Sequence, residues 1–130
     1  TRLKGHFKYT TAPISSADDD FAYMKGKPDT CIVWVAVGDW DEPVEIRTKK
    51  SDAKYFDKND KHVIAYGEMT CGETVSAYKD FSIELDYRAT NRKPKYLLIV
   101  CSASKYGDYF TGGKGATMWV DDFSLEYDYE

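Results

Sequence analysis

The feature that most constrains the fold is an alternation of apolar and polar side chains with a period of two residues. Residues 3–9 read Leu-Lys-Gly-His-Phe-Lys-Tyr, which places the basic side chains on one face and the apolar ones on the other. Residues 81–88 repeat the pattern with Ser, Glu, Asp and Arg as the polar partners. This period is typical of half-buried β-strands. No segment has the apolar spacing of an amphipathic helix of about ten residues, so the chain is predicted to be all-β.

Two further segments are strand-like and apolar on both faces. Residues 31–37 are rich in β-branched side chains and are predicted to form a central strand, and residues 96–101 are predicted to lie in mid-sheet under cover. In the last strand, Met118 and Phe123 fall on opposite parities. Keeping both in the core requires one extra residue, a β-bulge, near Asp121 and Asp122.

Several short strands separated by Gly- and Pro-containing turns predict a β-sandwich or a jelly roll. A length of 130 residues fits one domain, so residues 1–130 are expected to form a single β-sandwich. The aromatic residues that alternate with polar partners are assigned to its core: Phe7, Tyr9, Phe81, Tyr87, Phe123 and Tyr127.

Charge and hydropathy exclude two classes of partner. The chain has 18 basic and 22 acidic residues and a net charge of −4, which argues against nucleic-acid binding. The longest apolar run is strand-sized, far below the roughly 20 residues of a transmembrane helix. The three cysteines form no CxxC pair, so a zinc site is not expected; at most one disulfide can form, and the sequence does not say which.

The two histidines fall in no recognisable hydrolase or protease motif, so catalysis, if present, is expected to use paired carboxylates. The candidate groups are Asp39 with Asp41 and Glu42, Glu84 with Asp86, and Asp121 with Asp122. The alternative interpretation of Glu84 and Asp86 is a solvated sheet face. No cofactor is required by any motif. The predicted bulge makes Asp121 and Asp122 the candidate ligands of a structural calcium ion.

Aromatic residues left outside the predicted core suggest a sugar-binding surface. Trp34 and Trp119 point away from the apolar faces of their strands, and Trp40, Tyr106 and Tyr109 lie in flanking loops. Flat rings bind the apolar faces of sugars, while polar groups bind the hydroxyls. The hydroxyl-binding candidates are Asp108, Glu84, Asp86 and Arg88. The alternative is that Trp34 and Trp119 pack under a second layer or against a neighbouring segment.

The stretch 102–125, which contains Ser-Lys-Tyr-Gly-Asp-Tyr-Phe and ends in Val-Asp-Asp-Phe-Ser-Leu, resembles the putative carbohydrate metabolism domain family. The likeness continues through residues 3–10, 31–37 and 81–87. It implies a jelly-roll β-sandwich of two antiparallel sheets, similar to galactose-binding and carbohydrate-binding modules. The implied origin is a surface or secreted protein of polysaccharide-using Gram-negative gut bacteria. It also implies that residues 1–130 are a fragment that lacks the N-terminal strand and loop region of the family.

The sequence therefore predicts a non-catalytic carbohydrate-binding module of a larger protein involved in glycan use. Its expected partners are a poly- or oligosaccharide and the neighbouring domains of the same polypeptide. Its expected location is extracellular, periplasmic or on the outer-membrane surface. One alternative is a glycoside hydrolase domain that uses an Asp/Glu pair, and a second is a structural or adhesive surface domain.

Overall fold

The computed structural model describes residues 1–127, so the last three residues of the predicted 1–130 domain lie outside the described part. Almost all of its regular structure is β. The strands are β1 (Arg2–Thr10), β2 (Cys31–Gly38), β3 (Val63–Cys71), β4 (Val75–Glu84), β5 (Asp86–Tyr87), β6 (Tyr96–Ser102) and β7 (Thr117–Glu126). Three short 3-10 helices occupy loops: Asp19–Met24, Lys50–Asp52 and Gly107–Tyr109.

The strands form two antiparallel sheets that pack face to face. The first has the order β4-β1-β7 and the second the order β5-β3-β2-β6. The predicted all-β sandwich is confirmed, and β2 is a central strand as expected. Among residues 1–127, no helix is long and apolar enough to span a bilayer.

The core lies between the sheets and follows the alternation of the sequence. Leu3, Phe7 and Tyr9 of β1 are buried at every second position. Phe81 of β4 packs edge-on against Phe7, with ring centroids 6.1 Å apart. The Tyr9 hydroxyl donates to the Ala103 carbonyl oxygen at 2.7 Å, and burial raises the pKa of this phenol. The hydrogen bond satisfies the one polar atom that Tyr9 brings into the core.

The bulge in β7 is confirmed. The β1–β7 register shifts between Lys4 and His6, and Asp122 has a φ of 56°. The extra residue brings Phe123 against Phe81, with centroids 5.8 Å apart. Both rings lie over Gly5, where a Cβ atom would approach them to 2.8 Å or less. Glycine is therefore needed at this position so that the two rings can meet.

The prediction that residues 96–101 lie in mid-sheet is wrong, because β6 is an edge strand. Its inward residues Leu97 and Ile99 remain 46% and 37% exposed. Val120 and Phe123 on the facing edge strand β7 are 38% and 40% exposed. We call these four residues the open side of the sandwich. An apolar strand indicates apolar surroundings, but its composition does not say how many strands flank it.

The core assignment is correct for Phe7, Tyr9 and Phe81 and wrong for three other aromatic residues. Tyr87, Phe123 and Tyr127 are 45%, 40% and 54% exposed, since each lies at the edge or end of a sheet. The long strand expected over 81–88 is also divided. The chain leaves the first sheet at Glu84 and joins the second at Asp86.

Candidate functional site

The outer face of the four-stranded sheet carries a cluster of aromatic rings. Val33 and Val35 of β2 are fully buried in the core, so Trp34 between them points outward. Phe56, from the loop between β2 and β3, stacks on Trp34 with centroids 4.4 Å apart and an interplanar angle of 18°. Tyr66 of β3 lies 6.1 Å from Trp34. These stacked rings form the floor of a depression.

A second set of rings forms its wall. Tyr109, in the loop between β6 and β7, stacks on Phe21 with centroids 5.0 Å apart and lies 5.1 Å from Tyr55. Tyr106 in the same loop lies 5.7 Å from Phe21. Tyr55 and Tyr109 keep 41% and 37% of their surface exposed, so their rings are accessible to a ligand.

The floor and wall line a partly open cavity of about 430 Å³, which we call the aromatic groove. Its rings are Trp34, Tyr55, Phe56, Tyr66, Tyr106 and Tyr109, and its polar side chains are Asp57, Lys58, Asn59, Lys105 and Asp108. These five polar residues are exposed, so their donors and acceptors can exchange water for a ligand. Accessible rings beside a few polar groups are the usual composition of a small-molecule site.

Tyr66 adds a fixed hydroxyl to the floor. Burial raises the pKa of this phenol, and the negative charge of Glu68 raises it further. The hydroxyl therefore stays protonated at neutral pH, and it donates to Glu68 Oε2 at 3.1 Å. The ammonium group of Lys58 lies 5.9 Å from the Tyr66 ring centroid, within the range of a cation–π contact.

A buried carboxylate fixes the loop that carries Tyr106 and Tyr109. Asp29 is 1% exposed, and its oxygens accept from the Thr30 amide at 2.8 Å, the Ser104 hydroxyl at 2.6 Å and the Gly113 amide at 2.8 Å. Ser104 and Gly113 stand on either side of the two tyrosines in the chain. Asp29 therefore joins both ends of the tyrosine loop to the start of β2.

A second cavity, of about 480 Å³, adjoins the groove and shares Tyr55, Phe56 and Asp57 with it. We call it the acidic cavity because most of its polar lining is carboxylate. Its remaining lining includes Trp40, Asp41, Glu42, Glu45, Lys54, Asp60 and His62. The two cavities together provide a continuous surface longer than either one.

Asp39 is held in an ion-pair network beside the acidic cavity. Arg92 binds it through two hydrogen bonds, Nε to Oδ2 at 3.0 Å and Nη2 to Oδ1 at 2.6 Å. His62 Nδ1 lies 3.1 Å from Oδ1. The Arg92 hydrogen bonds lower the pKa of Asp39 to about 2, with a smaller contribution from His62 and against the effect of partial burial. Asp39 is therefore ionised and engaged, which makes it a poor general acid.

The structure brings together four of the residues predicted to bind a ligand: Trp34, Tyr106, Asp108 and Tyr109. Trp40 lines the adjoining acidic cavity, where its ring meets Phe56 edge-on at 6.1 Å. The stacking of Phe56 on Trp34 agrees in part with the alternative that Trp34 packs under a second layer. One face of the indole is covered by another ring, so Trp34 serves as floor.

Trp119 lies apart from this cluster. It belongs to β7 of the other sheet, is 41% exposed, and has the Lys8 ammonium 4.8 Å from its ring centroid. The outer faces of two packed sheets point in opposite directions. Trp34 and Trp119 therefore do not form one platform.

The predicted hydroxyl-binding residues on strands are also separated. Glu84 is opposite Arg2 in the first sheet, whereas Asp86 is opposite Tyr66 in the second, so they do not share a strand face. The Arg88 guanidinium donates to the Lys58 carbonyl oxygen and so supports one rim of the groove. Asp86 and Arg88 are thus neighbours of the site, and Glu84 is distant from it.

The predicted calcium ligands lie on the bulge, where the Asp122 amide donates to Asp121 Oδ1 at 2.8 Å. Asp122 Oδ2 is 3.5 Å from His6 Nδ1. Within residues 1–127, no group of three or more His, Cys, Asp or Glu side chains is arranged to hold a metal ion. Calcium at Asp121 and Asp122 stays a prediction.

Sequence reasoning did not select the rings of Tyr55, Phe56, Tyr66 and Phe21. Tyr55 and Phe56 could have been selected, because they are two adjacent aromatic residues within the polar stretch 49–61. Tyr66 stands between two buried residues of β3, so its outward direction, like that of Trp34, could be predicted from neighbouring residues alone. Phe21 had no signal of its own, since its role depends on a contact with a loop far along the chain.

The two sheets and the aromatic groove define a β-sandwich domain with a ring-lined surface site on one sheet. The chain belongs to the family described as Putative carbohydrate metabolism domain, whose model matches residues 1–126. No curated protein matches it.

Two solved structures have the same fold. One is a putative glycoside hydrolase from Bacteroides thetaiotaomicron VPI-5482, with a TM-score of 0.71 and 19% identity over 100% of this chain. The other is a putative glycoside hydrolase from Bacteroides vulgatus ATCC 8482, with a TM-score of 0.68 and 21% identity over 95% of this chain. This chain covers 38% and 50% of the two neighbours, respectively.

Proposed function

We propose that this domain binds an oligo- or polysaccharide in the aromatic groove, without catalysis, as a module of a larger protein exposed outside the cytoplasm. The observation that carries the proposal is the pair of accessible rings, Tyr55 and Tyr109, 5.1 Å apart beside exposed carboxylate, amide and ammonium groups. Sugars have apolar faces that pack on aromatic rings and hydroxyls that bind charged and amide groups. Membership of a carbohydrate-related family supports this class of ligand.

The geometry also predicts how strongly the groove binds. The groove is only partly enclosed, so a bound sugar leaves part of its surface in water. A partly enclosed ligand gains less from burial, and modest affinity, with Kd on the order of 10–1000 μM, is expected. The adjoining acidic cavity extends the surface, so longer oligosaccharides should bind more tightly than single sugars.

The test is a glycan array followed by calorimetric titration with the best oligosaccharide. The double variant Tyr55→Ala/Tyr109→Ala is expected to weaken binding at least about tenfold, because it removes the accessible rings. Trp119→Ala is the matched control: Trp119 is as exposed as Tyr55, at 41%, but lies on the other sheet. Its affinity should equal that of the wild type.

Two results would overturn the groove assignment. One is a double variant that binds as tightly as the wild type. The other is loss of binding in Trp119→Ala with the double variant unaffected. If the wild-type domain binds none of the arrayed glycans, the proposed binding function itself is wrong.

A second candidate function is glycoside hydrolysis, which the acidic cavity favours. Asp41 and Glu42 line it, as do Asp57 and Asp60, beside the rings shared with the groove. Hydrolysis needs two carboxyl groups about 5–10 Å apart across a glycosidic bond. Turnover of a chromogenic glycoside panel that is abolished by Asp41→Asn or Asp57→Asn would establish this function in place of simple binding.

The open side supports a structural role, in which the domain packs against another part of the same polypeptide. Leu97, Ile99, Val120 and Phe123 present apolar surface on the inward faces of two edge strands. Apolar patches of this kind are commonly covered by a partner. This role is compatible with glycan binding, because the open side and the groove occupy different surfaces.

A further inference from the structure

The fold pairs two of the three cysteines across a strand ladder. Cys31 begins β2, Cys71 ends β3, and the two residues are direct partners in the antiparallel register. Direct partners in such a ladder point to the same face of the sheet, with Cα atoms about 4.5–5.5 Å apart. A disulfide requires a Cα separation of about 4.4–6.8 Å. The backbone therefore already satisfies the main geometric condition for a bond between them.

The third cysteine does not satisfy it. Cys101 of β6 is the direct partner of Val33, so it is displaced by two residues from the position opposite Cys31. Diagonal neighbours of this kind are about 7–8 Å apart, beyond the usual range of a disulfide. Cys71 on β3 and Cys101 on β6 flank β2 on opposite sides, so they are two strand spacings, about 9–10 Å, apart. The strand order and register thus select one of the three pairings that the sequence leaves open.

The surroundings of the two thiols set the order in which they react. Cys31 is buried and Cys71 is half-buried, and all three cysteines are free thiols in the structure. Burial raises the pKa of Cys31 to about 11, with a further rise from the neighbouring Cys71. Cys71 donates to the Glu73 carbonyl oxygen at 3.3 Å and is the more accessible of the two. Within this pair, Cys71 is therefore the thiol that an external reagent meets first, whereas the unpaired Cys101 is exposed.

We propose that Cys31 and Cys71 are a disulfide-forming pair that is closed by thiol–disulfide exchange with a low-molecular-weight disulfide. The Cys71 thiolate attacks the reagent, breaks its S–S bond, and forms a mixed disulfide with release of one small thiol. Cys31 then loses its proton, attacks Cys71 Sγ, and expels the second small thiol. The two protein thiols are oxidised, and the reagent is reduced to two thiols.

The bond would act on the candidate site through the chain that it closes. The segment between Cys31 and Cys71 contains the loop of Tyr55 and Phe56 and both strands under the groove. Cross-linking its ends restricts the unfolded chain. Oxidation is expected to raise Tm by about 10 °C.

The test is incubation of the folded domain with oxidised glutathione, followed by intact mass and thiol titration in denaturant. We expect a loss of about 2 Da, a fall from three titratable thiols to one, and a mapped Cys31–Cys71 peptide. Cys101→Ser should oxidise in the same way. Cys71→Ser should gain no intramolecular bond, and the domain should tolerate this substitution because Cys71 is only half-buried. Dithiothreitol should reverse the increase in Tm.

Three outcomes would overturn the proposal. The wild type could keep all three thiols, it could stop as the mixed disulfide on Cys71, or the mapped bond could contain Cys101. None of these readouts depends on glycan binding, so the disulfide and the proposed function can fail independently.

Discussion

Replacing Asp29 by alanine tests how much the buried carboxylate contributes to stability. The substitution removes the acceptors of three hydrogen bonds, from Thr30, Ser104 and Gly113, at a position that is 1% exposed. Hydrogen bonds to a charged group are each worth about 1.5–3 kcal/mol. Removing the carboxylate also removes its own cost of burial, which is several kcal/mol. We expect the free energy of unfolding to fall by about 3–4 kcal/mol.

The assay is urea unfolding followed by tryptophan fluorescence, with the slope m checked for two-state behaviour. Ser104→Ala removes one of the three donors and should cost about 1.5–3 kcal/mol. Asp20→Ala is the control for charge, because Asp20 is exposed in a 3-10 helix of the same long loop. It should change the free energy of unfolding by less than about 0.5 kcal/mol.

The substitution also makes a prediction for the candidate site. Asp29 holds both ends of the loop that carries Tyr106 and Tyr109, so Asp29→Ala should weaken glycan binding even where the domain remains folded. The reasoning is refuted if Asp29→Ala unfolds within about 1 kcal/mol of the wild type. A loss of stability equal to that of Asp20→Ala would show that charge, and not the hydrogen bonds, decides the effect.

Two further predictions concern the backbone of the tyrosine loop and the ion pair beside the acidic cavity. Gly113→Ala should cost about 2–3 kcal/mol in urea unfolding, because its Cβ would lie 2.7 Å from the Ala12 carbonyl oxygen. Gly107→Ala, with its nearest contact at 3.7 Å, should be nearly neutral; equal costs would contradict the steric argument. Arg92→Gln should raise the Asp39 pKa from about 2 toward its usual value, measured by carbon-13 NMR titration. Since the folded-state pKa is depressed, the stabilisation is complete above pH about 4 and is lost as the pH falls toward 2. The stability difference between wild type and variant should therefore be larger at pH 6 than at pH 2, and a pH-independent difference would contradict this assignment.

The faces of individual strands were predictable because they depend on local alternation. Trp34 points outward since Val33 and Val35 point inward, and no distant residue is needed to see it. The bulge at Asp121 and Asp122 followed from a change of parity within one strand. Each of these conclusions uses only the two-residue period of the pleated backbone.

The positions of strands within a sheet were not predictable in this way. The apolar residues of β6 indicated apolar surroundings, but Leu97 and Ile99 lie at an edge whose inward face is only partly covered. The clean alternation over 81–88 likewise concealed the crossing from one sheet to the other after Glu84. Strand order depends on which segments meet, and a repeating pattern within one segment holds no information about that.

By itself, the sequence determined that this chain forms a β-sandwich and which side of each central strand enters the core. Only the tertiary structure decided that Phe56 covers Trp34, that Trp119 lies on a separate sheet, and that Cys31 faces Cys71. The physical reason is the range of the interactions. Alternation is fixed by the geometry of consecutive residues, whereas a groove, a register or a thiol pair requires segments far apart in the chain to meet.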